Sequence, residues 1–373
     1  MCAWSGAGIC LHEAKKEIYG APRIFAARFS YAKAMRNVKR CLESGLALTS
    51  ACVGAGFATG REILSFFTRF GVFSWLGCVV AAALLGALCF SMARTACALN
   101  AADLGALCRD GICGGKGNAA AMLYAALLTA VGGAMLAATG EAAALMAPVR
   151  FARQGGILLA LAGAYALRNC GLKPLAALGV GLVPCCAALF ALLLRVPAAA
   201  GKPEVELSRG TSALVAAACY AGLNASLSAG VMCEVGKSGG RKETAFSCAA
   251  AAVMIGGMLL LGNAALMRQY GSIQRAALPV VALSGTLGPV GYWLCATAML
   301  IAVLTSYLAA VRALARMMPM RDKMGWLAAL AITALVARLD FTTLIGYTYP
   351  ALGAMCLLCF FKIFLDRSKV IHN

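Results

Sequence analysis

Two segments combine glycine with small polar side chains in a way that could expose backbone groups to a ligand. The first, from Gly45 to Phe67, reads GLALTSACVGAGFATGREILSFF, and its glycines interrupt an apolar helical pattern. Such glycines free carbonyl and amide groups from helical pairing, and irregular backbone persists in an apolar environment only where it lines a cavity. The second, YAGLNASLSAGVM from Tyr220 to Met232, has a similar composition. Both segments predict a polar binding site, and close helix packing through small residues is the alternative interpretation.

The cysteines and glycines elsewhere do not predict catalysis. Cys356 and Cys359 form a CxxC inside an apolar segment, and Cys108 with Cys113 lacks the second pair or the histidines of a zinc site. The segment GICGGKGN lacks the spacing of a phosphate-binding loop. We therefore expect neither an enzyme nor an ATP-driven pump, and no organic cofactor.

The composition is that of an integral membrane protein. The 373 residues are 62% hydrophobic and 13% charged, with a mean hydropathy of +0.83, whereas soluble domains are about 45–50% apolar and about 25% charged. The net charge of +19 would suggest nucleic acid binding in a soluble protein, but here most of the 33 Lys and Arg mark the cytoplasmic side. We expect membrane lipid and a small solute as partners, no nucleic acid, and an oligomeric state that the sequence leaves open.

Stretches without Asp, Glu, Lys or Arg predict the membrane spans, because such charges are costly at the bilayer centre. Ten stand out: Ser44–Gly60, Phe70–Ala93, Gly117–Gly140, Gln154–Leu167, Pro174–Leu194, Gly210–Cys233, Thr244–Met267, Ala276–Val311, Met324–Ala337 and Phe341–Phe361. The second and seventh are equally long, as are the fourth and ninth and the fifth and tenth. This predicts an all-α membrane protein with two inverted halves of five helices each; chance agreement of the lengths is the alternative.

The charge distribution and the spans together predict the organisation of the chain. We expect a basic cytoplasmic segment over 1–40, a first repeat over 41–197, an external linker over 198–209, a second repeat over 210–365 and a tail over 366–373. Most of the Lys and Arg outside the spans then lie on the side of the N-terminus. Both termini are therefore expected in the cytoplasm.

The eighth uncharged stretch is too long for one helix. Pro279 and Pro289 divide it, and the part Ala276–Gly288 is too short to span a bilayer. We expect this part to form an external half-helix or a re-entrant cap. The eighth span then begins near Pro289 and reaches the cytoplasm near Arg312.

The string VGAGFATGREILSFF resembles the opening-helix signature of the YkvI-like family of bacterial membrane proteins. That family lies in the amino acid–polyamine–organocation superfamily, which has the LeuT-type fold. The resemblance is specific over Val53–Phe67 and diffuse through span six, Ala276–Gly288 and the LTSYLAA of span eight. It implies a bacterial cytoplasmic membrane protein whose first and sixth helices are unwound around a central substrate site, but no known substrate. The expected substrate-binding residues are Gly54, Ala55, Gly56, Phe57, Tyr220, Asn224, Ser226 and Ser228.

In sodium-coupled proteins of this type, carbonyl groups of the unwound first helix and a hydroxyl pair in the eighth hold a sodium ion. The matching positions here are the backbone at Cys52, Val53 and Gly56 and the hydroxyls of Thr305 and Ser306. Oxygen ligands of this kind suit a hard monovalent ion, although Thr and Ser also bond to the preceding turn of their own helix. Some proton-coupled relatives carry a lysine in the middle of helix five. This chain has none within that span, which favours sodium.

Charged residues near the span ends have two interpretations. LeuT-type carriers pair an arginine of helix one with an aspartate of helix ten in an external gate, and Arg61 with Asp340 resembles that pair. Ordinary interfacial charges are the alternative. Glu141 follows an uncharged run and is a functional candidate if it lies in the membrane. If Pro148 marks the helix end, Glu141 is about two turns from the surface, which favours an interfacial carboxylate.

These expectations combine into a functional hypothesis. We expect a secondary transporter of a small polar or zwitterionic, amino-acid-like solute that works by alternating access with sodium symport. The unwound ends of helices one and six would present amide groups to a carboxylate of the solute. A non-transporting receptor or sensor on the same scaffold is the alternative.

Overall fold

The computed structural model of the chain describes residues 37–101, 104–111, 117–147, 149–199, 209–276, 278–320 and 322–338, together with residues 35 and 201. Every regular element within these residues is a helix. The α-helices are α1 (37–52), α2 (Ala55–Ala58), α3 (Arg61–Phe66), α4 (Phe73–Ala98), α5 (Leu104–Gly111), α6 (Gly117–Met146), α7 (Ala152–Ala166), α8 (Lys173–Leu193), α9 (Arg209–Ser238), α10 (Arg241–Arg268), α11 (Tyr270–Ile273), α12 (Pro279–Ser284), α13 (Gly288–Met317) and α14 (Asp322–Val336).

Helices occupy the first nine predicted stretches, and the tenth, Phe341–Phe361, lies outside the described residues. Within the described part of the chain, six segments are long and apolar enough to cross a membrane, namely α4, α6, α8, α9, α10 and the run Pro279–Met317. Of these, α9 and Pro279–Met317 bury the largest share of their length. They therefore form the centre of the bundle.

The predicted division of the eighth stretch is confirmed. The short helix α12 ends at Ser284 and a 3₁₀ turn over Gly285–Leu287 separates it from α13. Gly288 has φ of +67°, a left-handed conformation that glycine adopts without steric cost. Pro289 follows in the first turn of α13, where its missing N–H leaves no hydrogen bond unmade.

The segment between the second and third spans contains a helix that the hydropathy pattern does not predict. Helix α5 packs against α6, and its Leu107 and Cys108 side chains are buried in the core. Cys108 is therefore a packing residue. Cys113 lies outside the described residues.

The prediction that helix six is unwound is wrong, because α9 is continuous through its polar segment. The physical reason is that the polar side chains bond to carbonyl oxygens of their own helix and need no break. The bonds run from Asn224 Nδ2 to Tyr220 O (3.0 Å), from Ser226 Oγ to Leu223 O (2.6 Å) and from Ser228 Oγ to Ala225 O (3.1 Å). Gly230 serves close packing instead, since an added β carbon would lie 3.1 Å from Ala313 Cβ.

Helices α4 and α9 pack closely through small residues, as helices in membranes commonly do. At Gly236 of α9, an added β carbon would overlap the carbonyl oxygen of Ala93 in α4 and lie 2.9 Å from its carbonyl carbon. Both groups belong to helical backbone and have no freedom to move aside. The separation of α4 and α9 therefore depends on this glycine.

We predict that Gly236→Ala destabilises the protein by about 1–3 kcal/mol, the usual cost of overpacking. Gly257→Ala in α10 is the matched control, because nothing lies within 4 Å of its added β carbon. A helical alanine in open space should stabilise by about 0.5–1 kcal/mol. Unfolding in the same detergent measures both, and equal effects of the two substitutions would contradict the close packing of α4 on α9.

Candidate functional site

The first membrane helix is interrupted between α1 and α2. The N–H of Val53 donates to Thr49 O (2.9 Å), and helical bonding resumes where Gly54 O accepts from Phe57 (3.1 Å) and Ala58 (3.0 Å). In a continuous helix the amide of Phe57 would bond to the carbonyl of Val53. The break therefore leaves the Val53 carbonyl without its helical partner. This confirms the predicted interruption of helix one.

A second turn follows the break, and α12 packs against it. Gly60 has φ of +76°, and its carbonyl accepts from Leu64 at 2.9 Å. The N–H of Val280 in α12 donates to Thr59 O at 2.9 Å. An added β carbon on Gly60 would lie 2.8 Å from a methyl group of Val280. The predicted half-helix thus covers one side of the interrupted segment.

Side chains of α9 and α13 lie against the break. The thiol of Cys52 donates to the carbonyl oxygen of Asn224 at 3.5 Å, and Asn224 Oδ1 has no hydrogen-bond partner among the described residues. Ser306 Oγ, also without a partner there, would lie 3.0 Å from a β carbon added to Gly54. Ser306 Oγ therefore lies beside the interrupted backbone, and Asn224 contacts it through its carbonyl oxygen.

Ser50 contributes a third such atom, one turn before the break. Its Oγ is buried without a partner among the described residues. It packs against Gly179 of α8, where an added β carbon would overlap it. Hydroxyl groups can donate and accept. Ser50, Asn224 and Ser306 thus contribute oxygen atoms from three helices, α1, α9 and α13.

Other predicted residues have roles in packing. Phe57 packs edge-on against Phe190, with ring centroids 6.1 Å apart. Thr305 Oγ1 donates to Ala302 O of its own helix at 2.8 Å. Ser226 and Ser228 bond within α9, as described above, and the carbonyl of Ser226 also accepts from the Tyr124 hydroxyl. The structure therefore brings Gly54, Gly56, Cys52, Val53, Asn224 and Ser306 together and assigns the others to the surrounding packing. The side chain of Ala55 is outside what the structure describes.

Tyr220 belongs to an aromatic cluster beyond the break. Its ring makes edge-on contacts with Phe66 and Phe67, at centroid distances of 5.6 and 5.0 Å. Phe67 and Tyr220 are fully buried. This cluster of Phe66, Phe67 and Tyr220 separates the break from the end of the bundle at which α9 begins.

The sequence places Glu62 just beyond the broken first helix but does not predict it as a binding residue. Its side chain folds back against Gly56, where an added β carbon would overlap Oε1 and lie 2.8 Å from Cγ. The residue is 5% exposed, and Oε2 has no hydrogen-bond partner among the described residues. Arg61, the adjacent cation, points elsewhere and donates to Ala276 O at 3.2 Å. The available signal was its spacing, six residues after Gly56 across a helix break.

The remaining charged candidates have separate outcomes. Arg61 is exposed and bonds to Ala276, while its predicted gate partner Asp340 lies outside the described residues. Glu141 forms an ion pair with Arg153 at 3.1 Å, and the side chains are 49% and 53% exposed. This exposure fits the interfacial carboxylate that the sequence favoured.

Within the described residues, no group of three or more His, Cys, Asp or Glu could hold a metal ion.

Neither a protein-family model nor a curated protein matches the chain. Among solved structures it is similar to the manganese transporter of Eremococcus coleocola. The complex of that transporter with an aromatic bis-isothiourea substituted compound has a TM-score of 0.55 at 14% identity, over 87% of this chain and 76% of that chain. Two of its mutants have a TM-score of 0.53 at 14% and 15% identity, over 85% of this chain and 76% of that chain. The likeness concerns the fold alone, and within the described residues this chain shares with that structure a multi-pass helical fold.

Proposed function

We propose that the chain is a secondary active transporter that moves a small solute across a membrane by alternating access. The observation that carries this proposal is the interruption of helix one at Val53 and Gly54, beside polar atoms of Asn224 and Ser306 that have no described partner. Discontinuous helices in the centre of a bundle are how transporters build binding sites in lipid. The likeness to a transporter structure supports the same conclusion.

The pattern of lengths and contacts supports two inverted repeats of LeuT type. Helices α6 and α13 have 30 residues each, and α7 and α14 have 15 each. Helix α6 contacts α7 and α14, and α13 contacts α14 and α7. Helix α5 packs on α6 as α12 packs on α13. Exchanging the two halves therefore converts these contacts into one another, as a five-plus-five repeat requires.

The chemistry at the break suits an amino-acid-like solute. It does not suit the predicted mode of binding, in which amide groups of helix six hold the carboxylate of the solute. Because α9 is continuous, helix six has no free amide end for a carboxylate, and that part of the hypothesis is withdrawn. Asn224 Oδ1 and the Val53 carbonyl are acceptors, which suit a solute with N–H donors. Manganese, which the structural neighbour is named for, remains the comparison ligand, since amide and carbonyl oxygens also suit that ion.

Coupling to sodium is proposed through the break and α13. Ser306 Oγ, which has no described partner, lies against Gly54, and the carbonyl of the preceding Val53 lacks its helical partner. Neutral oxygens of this kind suit a monovalent ion. Thr305 is a weaker candidate because its hydroxyl already bonds to Ala302 O. We propose that both termini lie in the cytoplasm of a bacterium and that the ion gradient across the cytoplasmic membrane drives transport.

Alternating access requires a closure on each side of the site. On the side where α9 begins, the aromatic cluster of Tyr220 provides it. On the other side, Glu234 Oε1 accepts from Arg312 Nε (2.7 Å) and Arg316 Nη1 (2.6 Å), which joins the end of α9 to the end of α13. We call these three residues the ion-pair latch. Arg312 is thus a buried pairing residue and not a free cytoplasmic charge.

The latch predicts unequal effects of two Glu→Gln substitutions. Glu234→Gln leaves two arginines without their carboxylate, in side chains that are 10% and 32% exposed, and should destabilise by about 3 kcal/mol. Glu141→Gln removes an exposed pair and should cost less than about 1 kcal/mol. Unfolding in detergent compares them, and a Glu234→Gln effect as small as the control would argue against the latch.

For sodium, we predict that wild type is stabilised by NaCl relative to choline chloride and that Ser306→Ala abolishes the difference. Thr305→Val should retain most of it, because its hydroxyl is occupied within α13. Thermal unfolding in the two salts measures this. Equal midpoints in both salts for wild type, or an intact sodium effect in Ser306→Ala, would refute the assignment.

Solute transport is tested in two steps. A thermal-shift screen of the purified protein against the twenty amino acids and MnCl₂ identifies a ligand, and uptake of that labelled ligand into proteoliposomes follows. Transport predicts accumulation that a sodium gradient increases. Binding without uptake would instead identify the receptor or sensor that is the alternative.

A further inference from the structure

We propose that Glu62 binds the ammonium group of the transported solute, so that the substrate class is small molecules with a protonated amine. This inference rests on the proposed function and assigns a substrate-binding role to a residue outside the predicted set.

The carboxylate has no counter-charge within the described part of the chain. Glu62 is 95% buried by residue area, its Oε2 lacks any hydrogen-bond partner there, and Arg61 bonds to a carbonyl away from it. A buried carboxylate is costly unless a cation or hydrogen-bond donors compensate it. A positively charged ligand would supply that compensation when it binds.

The surroundings favour an ammonium group as that ligand. An –NH₃⁺ group has three donors and no acceptor. Near the interruption, Glu62 Oε2 and Asn224 Oδ1 are acceptors without a described partner, and the Val53 carbonyl lacks its helical partner. Glycine at position 56 lets the carboxylate lie against the interrupted segment, because any β carbon there would overlap Oε1.

A packing role for Glu62 makes the opposite prediction for stability. If Glu62 held the fold together, Glu62→Gln would lower the melting temperature of the ligand-free protein. If it is an uncompensated binding group, Glu62→Gln should leave that temperature unchanged or raise it, because the substitution removes a buried ionisable group that has no partner. The ligand-free melting temperature therefore separates the two roles before any ligand is added.

The test uses the full chain in detergent with a panel of methylammonium, tetramethylammonium, the twenty amino acids, their N-acetyl forms, NaCl and MnCl₂. We expect methylammonium or an amino acid to raise the melting temperature of wild type, and tetramethylammonium and N-acetyl forms to have no effect. Glu62→Gln should weaken the apparent affinity for the active compound at least about 10-fold, as the loss of a charged hydrogen bond does. Glu62→Asp should give an intermediate value, and Glu141→Gln should match wild type.

Three outcomes would overturn the inference. They are stabilisation by an ammonium compound that persists in Glu62→Gln, a response restricted to Na⁺ or Mn²⁺, and equal responses to an amino acid and its N-acetyl form. In each case uptake assays on the compound that does bind still decide the proposed transport function. The failure of this inference is therefore distinguishable from the failure of that function.

Discussion

The structure depends on one constraint, which is that lipid offers no hydrogen bonds to the backbone. Every N–H and C=O in the hydrocarbon region must be satisfied within the protein or lie in a cavity inside it. The break between α1 and α2 conflicts with this rule unless it is surrounded by protein. Helices α8, α9, α12 and α13 surround it, and Val53, Phe57 and Asn224 are fully buried.

The same constraint explains why two similar segments fold differently. In α9 the polar side chains bond to their own helix, so that a continuous helix satisfies the segment. In the first helix, Gly54 and Gly56 carry no side chain that could do this. Because they have no β carbon, Ser306 packs against Gly54 and Glu62 packs against Gly56. Four side-chain oxygen atoms without described partners, in Ser50, Glu62, Asn224 and Ser306, belong to helices at this break, and Thr244 Oγ1 in α10 is another such atom. Unsatisfied groups of this kind reduce stability and are retained where a ligand uses them.

Much of the fold could be predicted from the sequence. The cost of placing a charge in lipid depends on the residues of each stretch alone, so that uncharged stretches reveal the spans. The uncharged run from Gly117 predicted the start of α6, and two prolines predicted the division before α13. Interactions between distant residues could not be predicted in this way. The ion pair of Arg312 with Glu234 joins α13 to α9, and the contact of Glu62 with Gly56 depends on the turn at Gly60. In the second glycine-rich segment, by contrast, local bonding within α9 decided between the two interpretations.

The central claim is that the break in helix one opens alternately to the two sides of the membrane. Cys52 reports on this directly, because its thiol lies at the break, is 2% exposed and donates to Asn224 O. Membrane-impermeant maleimide, added to sealed vesicles of each orientation, should label Cys52 from either side, and a bound solute should slow the reaction. Peptide mapping by mass spectrometry, with Cys52→Ser as control, identifies the site among the 18 cysteines. Labelling of Cys52 only after unfolding, or from one side alone under all conditions, would contradict alternating access.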